Sequence, residues 1–234
     1  SMGASTGTLL VQDDEGIEQV LRHINRRAAF HSEDEYRLAD RRPLARTGDW
    51  TSHYEVRDAQ SAIQSTERLV RLATALGKRI HVLHVTTAEE MIYLAAHKDV
   101  ASVEVTPQHL TLAGPDAYER LKGYAQMNPP IRGEEHRAGL WEGVVSGVAD
   151  VLGSDHAPHT SEEKARPYPA SPSGMPGVQT LLPVMLTHVA QGRLSLERLV
   201  DLTSHGANRL FGLADKGRMA VGYDADFTLV DLAA

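Results

Sequence analysis

The sequence predicts an α/β protein that contains part of a parallel (β/α)8 barrel. Short apolar runs alternate with longer amphipathic segments along most of the chain, which is the pattern of strand–helix units in a parallel sheet. Polar residues directly follow several of the apolar runs, and a parallel barrel gathers its active site at that end of its strands. About four such units can be counted, whereas a closed barrel needs about eight, so we expect an incomplete barrel.

The first elements are predicted as a helix, a strand, a loop and a second helix. An aspartate at its start would cap a helix over 13–26, and the apolar run 28–30 would form a buried strand. The polar stretch 32–53 is too long for a simple connector and is expected to be a functional loop. An amphipathic helix over 56–76 would end at Gly77.

The remaining elements follow the same alternation. In chain order we predict a strand over 80–85, a helix over 87–97, a strand over 100–105, helices near 115–122 and over 133–146, and a strand over 148–152. The segment 160–177 is rich in Pro, Ser and Gly and predicts a lid-like loop. Helices near 177–191, 195–203 and 204–211 and one alternating strand over 224–231 complete the prediction.

The composition limits which classes of function are open. The net charge of −7 with scattered arginines argues against a general nucleic-acid surface. The absence of cysteine means that any metal site must use histidine and carboxylate ligands. No apolar run approaches the roughly 18 residues of a membrane span, and no signal peptide is visible. We therefore expect a soluble, cytoplasmic protein without nucleic-acid or membrane partners.

The sequence DHAPH (155–159) carries the strongest chemical signal. Asp155 ends a predicted buried strand, where a carboxylate is costly unless it is paired or bound to a metal. Beside a metal-bound hydroxide it could accept a proton and later donate it to a leaving nitrogen. His159 could reach the same cavity and hold an anionic group. The alternative is a helix-capping aspartate followed by surface histidines.

Two histidines at strand ends add to this signal. His31 and His84 each end an apolar run, and neutral imidazole there is a natural ligand for a divalent metal. A hydrogen-bonded core histidine is the alternative for each. His81 should lie on the opposite face of its strand from His84 and pack in the core. Taken together, His31, His84 and Asp155 favour a metal site.

Several segments in order resemble the dihydroorotase family of the amidohydrolase superfamily. They are AAFHSED (28–34), VLHVT (82–86), EVTPQHL (104–110), MNPPIRG (127–133), SDHAPHTSEEK (154–164), SPSGMPGVQTLLP (171–183) and GRMAVGYDADFTLVD (217–231). The resemblance covers nearly the whole chain. It implies about the second half of a TIM-type barrel over 1–212 and the start of a C-terminal β-sandwich strand over 213–234.

Family members are metal-dependent enzymes that interconvert L-dihydroorotate and N-carbamoyl-L-aspartate in pyrimidine synthesis. The resemblance implies that His31 and His84 bind the more buried of two zinc ions. It makes Asp155 a ligand of the other ion and the general acid/base. The substrate would be held by Asn128, His159 and the backbone of Ser173 and Gly174. Arg132 is expected to be structural, by capping the following helix or pairing with Glu134 or Glu135, and Glu104 to be either a partner of the ligands or a buried acid.

The chain also departs from the family pattern. It contains no His-x-His motif and no lysine or aspartate suited to bridge two metals. GASTG (3–7) resembles the segment after the bridging strand, so that residue would be expected just before Ser1. We expect a fragment of a complete enzyme, or a natural inactive fragment, and no activity from the isolated chain.

Three further expectations concern function and partners. A hydantoinase- or allantoinase-like enzyme is the alternative within the superfamily, but such relatives usually lack a histidine at the place of His159. A catalytically silent subunit that scaffolds aspartate transcarbamoylase is the alternative outside enzymes. Because an incomplete barrel leaves strand edges uncovered, we expect a homo-oligomer.

Overall fold

The structure, a computed structural model, describes residues 10–232. Its centre is a parallel sheet in the order β1–β2–β3–β4. The strands are β1 (Ala28–Phe30), β2 (Ile80–Val82), β3 (Ala101–Val105) and β4 (Val151–Leu152). Strands adjacent in the sheet are also consecutive along the chain and are joined by helical segments. This is the arrangement of successive β/α units and confirms the predicted fold class.

Apart from the strands, the regular elements of the described residues are helices. They are α1 (Asp14–His23), α2 (Glu35–Arg41), α3 (Ser52–Val56), α4 (Ala59–Ala75), α5 (Ala88–Ala95), α6 (Pro107–Thr111), α7 (Asp116–Leu121), α8 (Glu134–Ser146), α9 (Ser161–Lys164), α10 (Leu181–Ala190), α11 (Leu196–Val200) and α12 (Gly206–Phe211). Short 3-10 turns follow α2 and α7, and a π turn joins α11 to α12. Asp13, Asp58 and Thr87 cap α1, α4 and α5 by accepting hydrogen bonds from backbone N–H groups. α1 and α5 thus begin one residue later than predicted, each after a residue proposed as its cap, and α4 begins three residues later than predicted.

The two faces of the sheet differ in chemistry. Ile80 and Val82 of β2 lie in register with Ala101 and Val103 of β3 and join a core formed with α1, α4, α5 and α8. The alternate residues point to the other face. There His81 lies in register with Ser102, and His81 Nδ1 is 2.8 Å from Ser102 Oγ. The apolar face therefore builds the core, and the polar face continues toward the strand ends where the functional residues lie.

Three predicted elements differ from the structure. The segment 32–53 is not a loop, because it contains α2, a 3-10 turn and the start of α3. The segment 160–177 begins with the single turn α9, capped reciprocally by Thr160 and Glu163. No strand forms over 224–231, because a strand needs a hydrogen-bonding partner and the described residues offer none there. GASTG (3–7) lies outside the described residues. No helix among residues 10–232 is long and apolar enough to cross a membrane.

Candidate functional site

The carboxyl ends of the four strands open onto one cavity of about 560 Å³. Its lining includes the predicted residues His31, His84, Asn128, Asp155, Ser173 and Gly174, together with Glu104 and His156. These residues are far apart in the sequence, but each lies at the end of a strand, follows a strand, or belongs to a segment that packs against the strand ends. A parallel sheet brings such positions to a single edge.

The rings of His31 and His84 meet edge to face inside this cavity. His31 Nδ1 lies 3.1 Å from His84 Nε2, and both side chains are buried. Burial, together with the neighbouring His31, lowers the pKa of His84 to about 4. The ring of His84 is therefore neutral at neutral pH, which is the form that binds metals.

Glu33 and Arg57 hold the His31 ring from the side opposite His84. His31 Nε2 donates to Glu33 Oε2 at 2.9 Å, and the fully buried Glu33 also accepts hydrogen bonds from Arg57 Nε at 3.2 and 3.1 Å. Burial alone would raise the pKa of Glu33, but the charge of Arg57 and the bond from His31 outweigh it and lower the pKa. The carboxylate thus stays ionised and keeps the proton of His31 on Nε2, which leaves the Nδ1 lone pair facing the cavity.

His84 and Asp155 share an uncommon backbone conformation. Their φ angles are +35° and +42°, a region that few residues other than glycine adopt. At His84 this conformation breaks the strand alternation, so that His81 and His84 both contact Glu104: His84 N donates to Glu104 Oε1 at 3.2 Å, and His81 Nε2 lies 3.6 Å from Glu104 Oε2. The contact of His84 is made by its backbone and that of His81 by its ring, and His81 is buried, as expected.

Asp155 is the acidic group at the open side of the cavity. Burial raises its pKa, the nearby His84 opposes that rise, and Glu104 adds to it. A carboxyl group whose pKa is raised toward neutrality is better suited to exchange protons than an ordinary surface aspartate.

Asn128 and His159 lie differently with respect to the cavity. Asn128 lines it, and its Oδ1 is buried without a hydrogen-bond partner among the described residues. His159 is more exposed and lies at the rim, where its Nε2 is 3.2 Å from the carbonyl oxygen of Ser173. An unpaired buried acceptor costs about 1–3 kcal/mol, so Asn128 is suited to a ligand that supplies an N–H donor.

Arg132 has a structural position, with partners other than those expected. It is buried and donates from Nε to Thr86 Oγ1 at 2.8 Å and from Nη1 to the carbonyl of Arg57 at 2.7 Å. It does not pair with Glu134 or Glu135, because its guanidinium points into the protein and those carboxylates are exposed. Sequence reasoning also missed Glu33 and Arg57 as site residues. The signal for Glu33 was an acid two residues after His31, inside the quoted segment 28–34.

The donor set fits part of a zinc site. Two nitrogens bound to one zinc ion in a tetrahedral arrangement lie roughly 3.4 Å apart, close to the 3.1 Å between His31 Nδ1 and His84 Nε2. Among residues 10–232 no group of three histidine or acidic side chains is close enough to hold a metal ion. The two histidines are thus suited to be two of its ligands, and further ligands are needed.

Comparison with known proteins finds relatives of this chain among amidohydrolases. Residues 15–234 match the amidohydrolase family. The dihydroorotase of Halobacterium salinarum is 40% identical over 201 residues, which are 86% of this chain and 46% of that protein. The dihydroorotase of Methanosarcina mazei is 36% identical over 246 residues, 98% of this chain and 53% of the relative. The chain therefore spans about half the length of the curated relatives it matches.

Solved structures agree on the fold. The L-hydantoinase (dihydropyrimidinase) of Arthrobacter aurescens superposes with a TM-score of 0.86 at 29% identity, over 96% of this chain and 53% of that protein. The D-hydantoinase of a Thermus species superposes with a TM-score of 0.87 at 25% identity over the same shares. The sheet described above is thus about half of the barrel found in these proteins, which confirms the incomplete barrel predicted from the sequence.

Proposed function

This chain belongs to the amidohydrolase family, and we propose that it supplies about half of the catalytic barrel of a dihydroorotase. The observation that carries the proposal is the pair of buried histidine nitrogens, 3.1 Å apart, at a cavity that Asn128 and Asp155 also line. The identities of 36–40% to dihydroorotases support dihydroorotate as the substrate, in preference to the hydantoins of the more distant structural relatives.

In this proposal His31 Nδ1 and His84 Nε2 hold one zinc ion, and Asp155 is a ligand of a second. Zinc bound there would polarise the ring amide and supply hydroxide at neutral pH. Asp155 accepts the proton of the attacking water on a carboxylate oxygen and delivers it to the departing ring nitrogen. Glu33 and Arg57 keep the proton of His31 on Nε2 throughout, so the ligand nitrogen stays available.

The substrate would be held around the rim of the cavity. Asn128 Oδ1, which has no partner within the described chain, accepts from a ring N–H. The backbone of Ser173 and Gly174 borders the ring, and His159 binds the substrate carboxylate from beside Ser173. A dihydroorotate ring has both an amide N–H and a carboxylate, which matches these two kinds of group.

The test is dihydroorotate hydrolysis and metal content of the full-length protein in which this chain occurs. We expect about two zinc ions per chain and hydrolysis that falls at least 10³-fold for Asp155→Asn, the order of loss typical when a proton-transferring group is removed. Asp99→Asn, a change remote from the cavity, is the matched control. A metal-free and inert full-length protein would refute the proposal and favour a silent scaffold subunit of aspartate transcarbamoylase.

A hydantoinase is the second candidate, because the structural relatives named above carry that activity in their names. Dihydroorotate carries a carboxylate that His159 would bind, whereas hydantoin has none. Parallel assays on both compounds therefore discriminate the two functions. If the full-length protein is a dihydroorotase, His159→Ala should raise KM for dihydroorotate and leave hydantoin turnover low. If it is a hydantoinase, the wild type should prefer hydantoin, and His159→Ala should leave its activity unchanged.

A further inference from the structure

A buried lysine contacts the segment that borders the cavity. Lys164, the last residue of α9, is 4% exposed, and its Nζ donates to the carbonyl oxygens of Gln126 (2.9 Å), Pro172 (2.9 Å) and Gly174 (2.8 Å). An ammonium group has three N–H donors, whereas a neutral amine has two. The three carbonyl acceptors therefore match the charged form, and although burial lowers the pKa of Lys164 to about 8, the group is still mainly protonated at neutral pH.

The same segment, 171–174, is bound to Gln126 by several other hydrogen bonds. Gly174 N donates to the carbonyl of Gln126 at 2.9 Å. The side-chain Nε2 of Gln126 donates to Ser171 O at 2.8 Å and to Ser173 Oγ at 3.2 Å. The carbonyl of Gln126 thus accepts from both Lys164 and Gly174, and Gln126 lies two residues before Asn128 of the cavity.

The position of Gly174 leaves little freedom for displacement. A Cβ added there would lie 2.4 Å from the carbonyl oxygen of Ala157 and 3.1 Å from His159 Nε2. The adjacent Met175 accepts a hydrogen bond from Ala157 N at 3.0 Å. The 171–174 segment is therefore fitted between the 155–159 turn on one side and Lys164 with Gln126 on the other.

We propose that Lys164 is a positioning residue whose ammonium group ties the 171–174 segment to Gln126 and so fixes the backbone of Ser173 and Gly174 at the cavity. Lys164 does not line the cavity and acts only through this segment. The identity of the ligand that the segment contacts rests on the proposed function. The hydrogen bonds between Lys164 and the segment do not depend on that function.

A matched pair of chemically modified proteins tests the tie without any substrate. These 234 residues contain no cysteine, so in the full-length protein, with any cysteine outside them replaced by serine, Lys164→Cys introduces a single thiol that can be alkylated under denaturing conditions before refolding. Alkylation with 2-bromoethylamine restores an ammonium at the length of lysine, and alkylation with 1-bromopropane places a methyl group there instead. The measurement is hydrogen exchange of the Gly174 amide, with the Gly153 amide, which donates to Val105 O at 2.9 Å, as the control.

We expect wild-type protection of Gly174 in the aminoethyl form and at least tenfold faster exchange in the propyl form, with Gly153 unchanged in both. Equal protection of Gly174 in the two forms would overturn the proposal. Loss of protection at both glycines in the propyl form would also overturn it, because Lys164 would then support the whole fold and not this segment.

Kinetics of the full-length protein give the second readout. Lys164→Met should raise KM for dihydroorotate about tenfold and change kcat less than threefold, because Lys164 contacts the segment and not the reacting atoms. Lys122→Met is the matched control, since the side chain of Lys122 is exposed and has no hydrogen-bond or ion-pair partner among the described residues. An unchanged KM would contradict the proposal. If the wild-type protein has no hydrolase activity but the modified proteins show the expected exchange pattern, the proposed function is refuted and the positioning role of Lys164 is retained.

Discussion

At the scale of single residues, the orientation of His31 depends on a charge buried behind it. Glu33 is ionised at a position with no solvent exposure because Arg57 and His31 both contact it. Removing one of these three side chains leaves a buried charge without its partner. The stability lost in this way exceeds the net stabilisation that the intact group of charges provides. Glu33, which orients the ring of His31, is therefore expected to be as sensitive to substitution as His31.

Glu33→Gln should weaken zinc binding to the full-length protein by about 10- to 100-fold, the usual effect of losing the carboxylate behind a metal-bound histidine. The amide keeps the shape of the side chain but no longer fixes the proton of His31 on Nε2. Chelator competition measures the affinity, and Glu67→Gln on the exposed side of α4 is the control. Equal affinity in the two variants would show that Glu33 has no influence on the ligand.

Gly174→Ala should lower kcat/KM for dihydroorotate by about 10²-fold, the size of effect that a displacement of roughly 1 Å produces. The new Cβ would lie 2.4 Å from Ala157 O, so the segment must move. Gly147→Ala is the control: Gly147 also has a positive φ, of +90°, but no atom lies within 4 Å of its Cβ position. That variant should lose about 1 kcal/mol of stability and keep its kcat/KM. Equal kinetics in both variants would contradict the argument.

At the scale of elements, helix capping links the long helix α4 to the segment before it. Asp58 accepts from Ser61 N at 3.0 Å at the start of α4, and it also accepts from Arg37 Nε of α2 at 2.8 Å. Its carboxylate therefore joins α4 to a helix that lies in the segment predicted as a loop. Asp13 has only the capping role, at the exposed start of α1.

Asp58→Ala should therefore destabilise the chain more than Asp13→Ala. Loss of a cap costs about 1 kcal/mol, which is the full expectation for Asp13, whereas Asp58→Ala also leaves Arg37 without its carboxylate partner and should cost about 2–3 kcal/mol. Urea unfolding midpoints measure both, provided that the m-values are unchanged. A loss at Asp58 no larger than that at Asp13 would mean that the contact with α2 contributes nothing.

At the scale of the whole molecule, the sheet ends in two strands that have a neighbour on one side only. In the described part of the chain, β1 pairs only with β2, and β4 only with β3. Unpaired N–H and C=O groups along such edges favour pairing with another chain. The related solved structures are about twice as long as the matched region, and a closed barrel needs eight strands.

The 234-residue chain on its own should therefore self-associate. Light scattering would measure its mass, and Ala29→Lys, which places a charge on the edge strand β1, should shift the equilibrium toward monomer. Ala96→Lys, at the exposed end of α5, is the control and should leave association unchanged. A monodisperse monomer across the micromolar range would contradict this prediction.

The sequence by itself determined the order of the β/α units, the capped helix starts and the set of strand-end residues, because periodicity and capping are local properties that a single segment displays. Tertiary structure alone decided that Glu33 and Arg57 lie behind His31, that Lys164 contacts Gln126 and Gly174, and that His81 and His84 reach the same carboxylate. Those contacts join residues as many as 38 positions apart or depend on one unusual φ angle at His84. The missing strand over 224–231 has the same cause, since a strand exists only with a partner that the segment itself cannot provide.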